Sequence, residues 1–181
     1  GPWQIAVDTV NNLYVADFNS GTIRKITPAG VVTTIAGSAS SGNLDNANPL
    51  LATFKKPCGV GVDNNGNVYV SEGGGGYIRK IAYNSANGTY GPVTTLVSTL
   101  GSTTTSWNTL IVTPDGSTIY VGKANDFKIY KIDTVNNTGA AFTAAFFTSS
   151  REWYRREPNS TRPGSTEWNI SHDPFRSQRL L

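Results

Sequence analysis

The sequence predicts an all-β chain of repeated four-stranded antiparallel sheets, and three observations carry that prediction. The first is internal repetition. Pro57 to Ile81 reads PCGVGVDNNGNVYVSEGGGGYIRKI and lies without a gap, at an offset of 55 positions, over Pro2 to Ile26, which reads PWQIAVDTVNNLYVADFNSGTIRKI. A weaker third copy follows in Leu110-Ile111-Val112, Ile119-Tyr120-Val121 and Ile129-Tyr130-Lys131-Ile132, its latter parts 51 positions beyond the second. The second observation is the apolar pattern: strand-length runs of Val, Ile and Tyr, broken by the turn residues Asn, Gly and Asp. The third is the period, since four strands per unit at about fifty residues is the signature of a β-propeller blade.

Blade one is predicted over Pro2 to Gly37, with strands at about 3–8, 13–17, 23–27 and 31–36 and a Thr27-Pro28-Ala29-Gly30 turn between the last two. Ser38 to Thr53, rich in Ser, Asn and Gly, reads as a long connection. Blade two runs from Pro57 to about Ser98, with Val93 to Val97 as its fourth strand and an enlarged third turn at Tyr83 to Gly91. Blade three runs from about Trp107 to Ser149, with Ala141 to Phe147 as its fourth strand. Its Thr113-Pro114-Asp115-Gly116 turn replaces the aspartate that opens the first turn of the other blades. In those blades the polar loops after Asp8 and Asp63 suit tight hairpins, because Asn and Gly tolerate positive φ.

From Arg151 the frame stops. Residues 151–181 hold six arginines and no lysine, whereas residues 1–150 hold seven lysines and two arginines. Trp153, Tyr154, Trp168 and His172 make this stretch unlike a solvating linker. It reads as an irregular tail, either an extension with its own partner or a terminus foreign to the fold, and the loss of any strand frame favours the second. The chain has no methionine and Pro2 falls on Pro57 in the repeat frame, so the sequence is expected to start within a longer protein.

Beyond the periodicity, the frame P-x-x-I-A-V-D, N-L-Y-V-A-D, I-R-K-I and V-T-T-I-A-G resembles the NHL repeat, strongly over residues 2–100 and weakly over 107–148. The resemblance implies propeller blades joined by spacers such as Ala36 to Phe54. It leaves function open, because NHL propellers serve as protein-binding, RNA-binding, sensor and occasionally enzymatic domains. NHL repeats carry D-x-x-N-x-R-I between the second and third strands. Here Asp17-Phe18-Asn19-Ser20-Gly21-Thr22-Ile23 and Glu72-Gly73-Gly74-Gly75-Gly76 lack that asparagine and arginine, so no ligand contact is inherited through them.

Composition narrows the function classes. Only 15% of residues are charged, and the blades hold nine basic and eight acidic side chains, which is too little positive charge for a nucleic-acid footprint. No apolar run approaches the roughly 20 residues of a membrane helix. Cys58 is the only cysteine, so no intrachain disulfide forms, and its place at the start of an inner strand marks it as a buried apolar residue. Sequons at Asn87, Asn136, Asn159 and Asn169 weakly favour an extracellular or cell-surface setting.

Catalysis is poorly provided for. Metal-dependent propeller enzymes such as the amidating lyase that resembles NHL proteins need histidines for zinc, and the single histidine, His172, lies in the tail. A gluconolactonase-like ring of oxygen ligands would draw on Asp17, Glu72 and Asn125, but the third-blade counterpart of Asp17 and Glu72 is Lys123. Asp63-Asn64-Asn65-Gly66-Asn67 lacks the downstream glutamate of a calcium loop, so Asp63 is read as capping its own turn. The glycine run after Glu72 leads into a strand and offers no helix N-terminus to a phosphate.

The sequence therefore points to three blades forming an open arc, a non-catalytic binding or scaffold module without cofactor or metal. The alternative is a piece of a propeller hydrolase or lyase whose catalytic residues lie in other blades. The loops that enter each first strand and join the second to the third share one rim. Trp3, Phe18, Asn19, Lys56, Tyr77, Trp107, Asn125 and Phe127 are expected there, as the surface for a protein or another ligand. Period-two alternation separates Ile23 and Lys25 from Arg24 and Ile26, and the basic side chains of these strands are expected to brace neighbouring blades. Three blades fall short of the four to eight of closed propellers. Apolar faces at both ends, with Phe142, Phe146 and Phe147 on the last, then invite self-association.

Overall fold

The computed structural model describes residues 1–98, 109–123, 128–136 and 138–140. Blade one is β1 (Pro2–Val7), β2 (Leu13–Asp17), β3 (Thr22–Ile26) and β4 (Val32–Ala36). Blade two is β5 (Pro57–Val62), β6 (Val68–Glu72), β7 (Ile78–Asn84) and β8 (Thr89–Val97). Blade three is β9 (Leu110–Val112), β10 (Thr118–Lys123), β11 (Lys128–Asp133) and β12 (Thr138–Ala140). Each sheet is an antiparallel meander in sequence order, and a single 3₁₀ turn at Pro49–Leu51 interrupts the connection between blades one and two. The described residues are all-β, in three four-stranded sheets that do not close on themselves.

The repeat extends to irregularities that no propensity argument reaches. β1 and β5 both carry a register shift after their proline, and the β3–β4 and β7–β8 pairs both shift between the Ile and the Arg of Ile-Arg-Lys-Ile. The first hairpins match as well. Asn11 (φ 64°) and Gly66 (φ 83°) occupy the same position one repeat apart, where the turn demands a left-handed residue.

Two expectations need correction. The loop enlarged at Tyr83 to Gly91 is not a loop over that whole span. β7 and β8 run on through it, pairing Tyr83 with Tyr90 and Asn84 with Thr89, so only four residues turn. The Tyr83 and Tyr90 rings, 5.0 Å apart, stabilise the extension. In blade three the fourth strand already includes Thr138 to Ala140, earlier than the apolar run expected to form it. Residues 141–149, with Phe142, Phe146 and Phe147, and the tail lie outside the described residues.

Among the described residues the core consists of two seams between blades. In the first, Tyr14, Ala16, Ile23 and Ile35 of blade one meet Val60, Val68, Val70, Ile81 and Val93 of blade two, with Ala52 and Phe54 of the connection. In the second, Tyr69 and Ile78 of blade two meet Leu110, Ile119, Val121, Tyr130 and Ile132 of blade three. Both follow from period-two alternation, since one face of blade two serves each seam.

Candidate binding rim

Strand β1 enters the fold at the rim where β2 turns into β3. Phe18 N–H donates to the Gly1 carbonyl (3.1 Å), as Gly73 N–H donates to the Lys56 carbonyl one repeat on (2.7 Å). That tie sets Trp3 against Phe18, ring centroids 4.9 Å apart and planes 23° from parallel. Trp3 is 58% exposed, so the stack faces solvent on one side. Lys56, an exposed residue with φ of 58°, carries its ammonium to 5.7 Å from the centre of the Phe18 ring.

Beside the stack lies a cleft of about 250 Å³. Phe18, Asn19 and Gly21 line it from the β2–β3 loop, Ala39, Ser41 and Phe54 from the connection, and Lys56 from the approach to β5. Asp17 stands at the same edge. Its carboxyl is held below the ordinary 3.8, chiefly by the Ser20 hydroxyl, against burial.

Of the residues expected on this rim, Trp3 and Lys56 each meet the Phe18 ring and Asn19 joins the cleft wall. Tyr77 stands in the β6–β7 loop, its ring over Gly75 of that loop. Trp107, Asn125 and Phe127 lie outside the described residues. The sequence reading missed Ala39, Ser41 and Phe54, because the connection carries no period to assign its side chains to a face.

Glu72, a candidate for a ring of oxygen ligands, has its carboxylate engaged by the protein itself. It is fully buried, accepting from Asn43 Nδ2 (2.7 Å), Lys55 N–H (2.7 Å) and Arg79 Nη1 (2.6 Å). Burial pushes its carboxyl above the ordinary value of 4.5, against the pull of the Lys55 N–H and of Arg79. Cys58 is buried, as the sequence implies, and its thiol is pushed up to about 11 by that burial.

The opposite rim carries the first-turn aspartates. Asp63 accepts from the backbone of Asn65 and Asn67, from Asn67 Nδ2 and from the Tyr69 hydroxyl, and Asp8 repeats the set with Val10, Asn12 and Tyr14. Four donors close each carboxylate around its own turn, the capping role read from sequence. A second cleft of about 460 Å³ opens between these turns, near Lys25 and Tyr83. Toward the axis, Gln4 Oε1 accepts from Val60 N–H and Leu110 N–H (3.1 Å each) while its Nε2 donates to the Leu110 carbonyl (3.0 Å), so one side chain joins the first strands of all three blades.

This geometry is that of propeller blades, and similar solved structures bear it out. A protein of unknown function from Bacteroides thetaiotaomicron aligns with a TM-score of 0.58 at 26% identity, covering 72% of this chain and 34% of that one. The nidogen/laminin complex aligns at 0.56 and 15% identity, covering 77% and 47%. Virginiamycin B lyase from Staphylococcus aureus aligns at 0.53 and 16%, covering 78% and 40%. The fold is that of a partial β-propeller. The chain spans between about a third and a half of the length of these structures. No family model matches the sequence, and no curated protein matches it. No helix among the described residues is long and apolar enough to cross a membrane.

Proposed function

We propose that this chain is a non-catalytic binding module, part of a larger NHL-type propeller, which presents the Trp3–Phe18–Lys56 rim to a protein segment. The observation that carries the reading is the exposed ring stack with a cation over it, opening on a cleft of about 250 Å³. Exposed Trp beside a partly desolvated pocket is the composition of a binding hot spot. The lysine favours a ligand that brings a carboxylate along with an apolar or aromatic side chain. The buried ion pair of Glu72 and the closed turns of Asp8 and Asp63 favour structural over catalytic roles for those acids.

An array of short peptides, each pairing an acidic residue with an aromatic one, tests the reading. Trp3→Ala and Lys56→Glu should each weaken the best binder about tenfold or more with melting temperature unchanged, because both side chains are exposed. Equal binding by both variants would overturn the rim. Stoichiometric uptake of a divalent cation coupled to turnover of a lactone or ester would overturn the non-catalytic reading and favour a fragment of a hydrolase or lyase.

A further inference from the structure

The first turns of neighbouring blades meet differently in the two seams. Between blades two and three, Asn64 N–H donates to the Pro114 carbonyl (2.8 Å) and the Tyr69 hydroxyl reaches the Gly116 carbonyl (3.4 Å), so the two turns close on each other. Fifty-five positions earlier, Thr9 and Tyr14 occupy the places of Asn64 and Tyr69. Thr9 N–H has no protein acceptor among the described residues. The Tyr14 hydroxyl turns instead to Asp8 and to the Tyr90 hydroxyl, 2.9 Å away. Between blades one and two the turns therefore stand apart, and the cleft of about 460 Å³ lies between them.

An insertion holds this seam open. Ile81 follows Ile26 by 55 positions, but its partner Val93 follows Val32, the partner of Ile26, by 61. The six added residues lengthen the β7–β8 hairpin, on which Tyr83 and Tyr90 stand. Tyr83 N–H donates to Asn67 Oδ1 (3.0 Å), and the Tyr83 ring lies against Gly66, where a Cβ would come within 2.6 Å of it.

The walls restrict what this cleft can hold. The Asp8 and Asp63 carboxylates are each closed by four donors, so neither is free for a metal ion. Together with Lys25 they leave the walls net negative, which disfavours an anion. The Lys25 ammonium stands 5.7 Å from the ring centres of both Tyr14 and Tyr90 and has no carboxylate partner among the described residues. Asn64 and Asn65 add side-chain amides, which both donate and accept. Polar groups of both kinds beside a tyrosine ring match an uncharged, ring-shaped ligand rich in hydroxyls, since a hydroxyl also donates and accepts. The volume is that of an ordinary ligand pocket.

We infer that this cleft binds a neutral saccharide, one sugar ring packing against Tyr83 with its hydroxyls on Lys25 and Thr9 N–H. The site is built by blades one and two alone, on the rim opposite Trp3. It depends neither on the ligand of that other rim nor on the number of blades in the whole protein.

Chemical-shift titration of the isotope-labelled full chain reads the outcome, with glucose, galactose, N-acetylglucosamine, maltose and cellobiose as probes. At least one should give saturable shifts at the amides of Thr9, Asn65 and Tyr83. Tyr83→Ala should weaken that sugar about tenfold or more. Lys25→Gln should weaken it several-fold, and carries the prediction if Tyr83→Ala loosens the hairpin. No saturable shift from any probe at about 10 mM overturns the inference. So do unchanged affinities in both variants, shifts confined to Phe18 and Lys56, or tighter binding of glucuronate than of glucose. A Pro-x-Gly turn peptide that shifts these amides when no sugar does also overturns it, since the cleft would then take backbone carbonyls as the second seam does.

Discussion

Arg79 Nη1 lies 2.6 Å from Glu72 Oε1, and neither side chain has any exposed surface. Arg79 also reaches Asp45 and the carbonyls of Leu44 and Thr53, so a strand of blade two holds down the connection that arrives from blade one. The basic side chains were expected to brace neighbouring blades; Arg79 instead ties the connection to its own blade, through Glu72, Asp45 and the carbonyls of Leu44 and Thr53. Arg79→Ala leaves a buried carboxylate without its partner and should cost about 3–5 kcal/mol. Arg24→Ala, one repeat earlier, removes a hydrogen bond to Thr34 on a half-buried side chain and should cost about 1 kcal/mol. Urea midpoints of the two variants check the contrast; equal losses would refute it.

The Asp8 turn makes stability depend on acid. Burial opposes ionisation there, but the side-chain and backbone donors of Asn12, with Val10 and Tyr14, together hold the Asp8 carboxyl below its ordinary 3.8. The unfolded chain thus takes up the proton first. The stabilisation is complete above about pH 4 and is lost as pH falls through the lower folded value. Asp17 adds to the same trend. Asp8→Asn should cost about 1 kcal/mol at neutral pH by losing donors at Oδ2, and its melting temperature should fall less steeply than the parent's between pH 5 and pH 3. Parallel slopes would show that Asp8 carries none of the dependence.

How far the sequence discloses this molecule depends on whether a residue lies inside the repeat. Strand order, the inner and outer faces, and the capping roles of Asp8 and Asp63 were legible because each has a copy 55 positions away to check it. Gln4 has no such copy. Its counterpart is Gly59, which has no side chain, so the residue that joins three first strands stands at a position where the repeat fails to match. Asp45 and Phe54 were hidden for a different reason: the connection has no period, and its side chains find partners only after both blades are in place. The β7–β8 extension was misread because Asn84, Asn87 and Gly88 are turn formers, while the Tyr83–Tyr90 pairing that keeps the strands together is a contact and not a composition.

Cys58 offers a measure of how tightly the entry to blade two is held. The side chain is 1% exposed and its thiol is pushed up to about 11 by burial, with only partial relief from the Gly73 N–H and Lys56. Thiolate is the reacting species. At pH 7.5 the native protein should therefore react with an aromatic disulfide reagent at least about a hundred times more slowly than the chain in urea. A native rate close to the unfolded one would show that the β5 entry opens freely.

Gln4 should be the most informative single position for the association of the blades. Its Oε1 takes two N–H groups from two blades and its Nε2 supplies a carbonyl of the third, so each of its polar atoms has a distinct obligation. Gln4→Ala strands those groups on the inner strands and should cost about 1–3 kcal/mol. Gln4→Glu keeps an acceptor for Val60 and Leu110 but turns an oxygen toward the Leu110 carbonyl. At neutral pH it should be at least as destabilising as Gln4→Ala. Below the carboxyl's titration range the added proton restores a donor to that carbonyl, and Gln4→Glu should then become the more stable of the two. Comparing the variants with each other at each pH cancels the acid sensitivity that Asp8 imposes on both. A difference between them that stays constant from pH 7 to pH 3 would mean that the donor to Leu110 contributes nothing, and that the first strands are held by apolar packing alone.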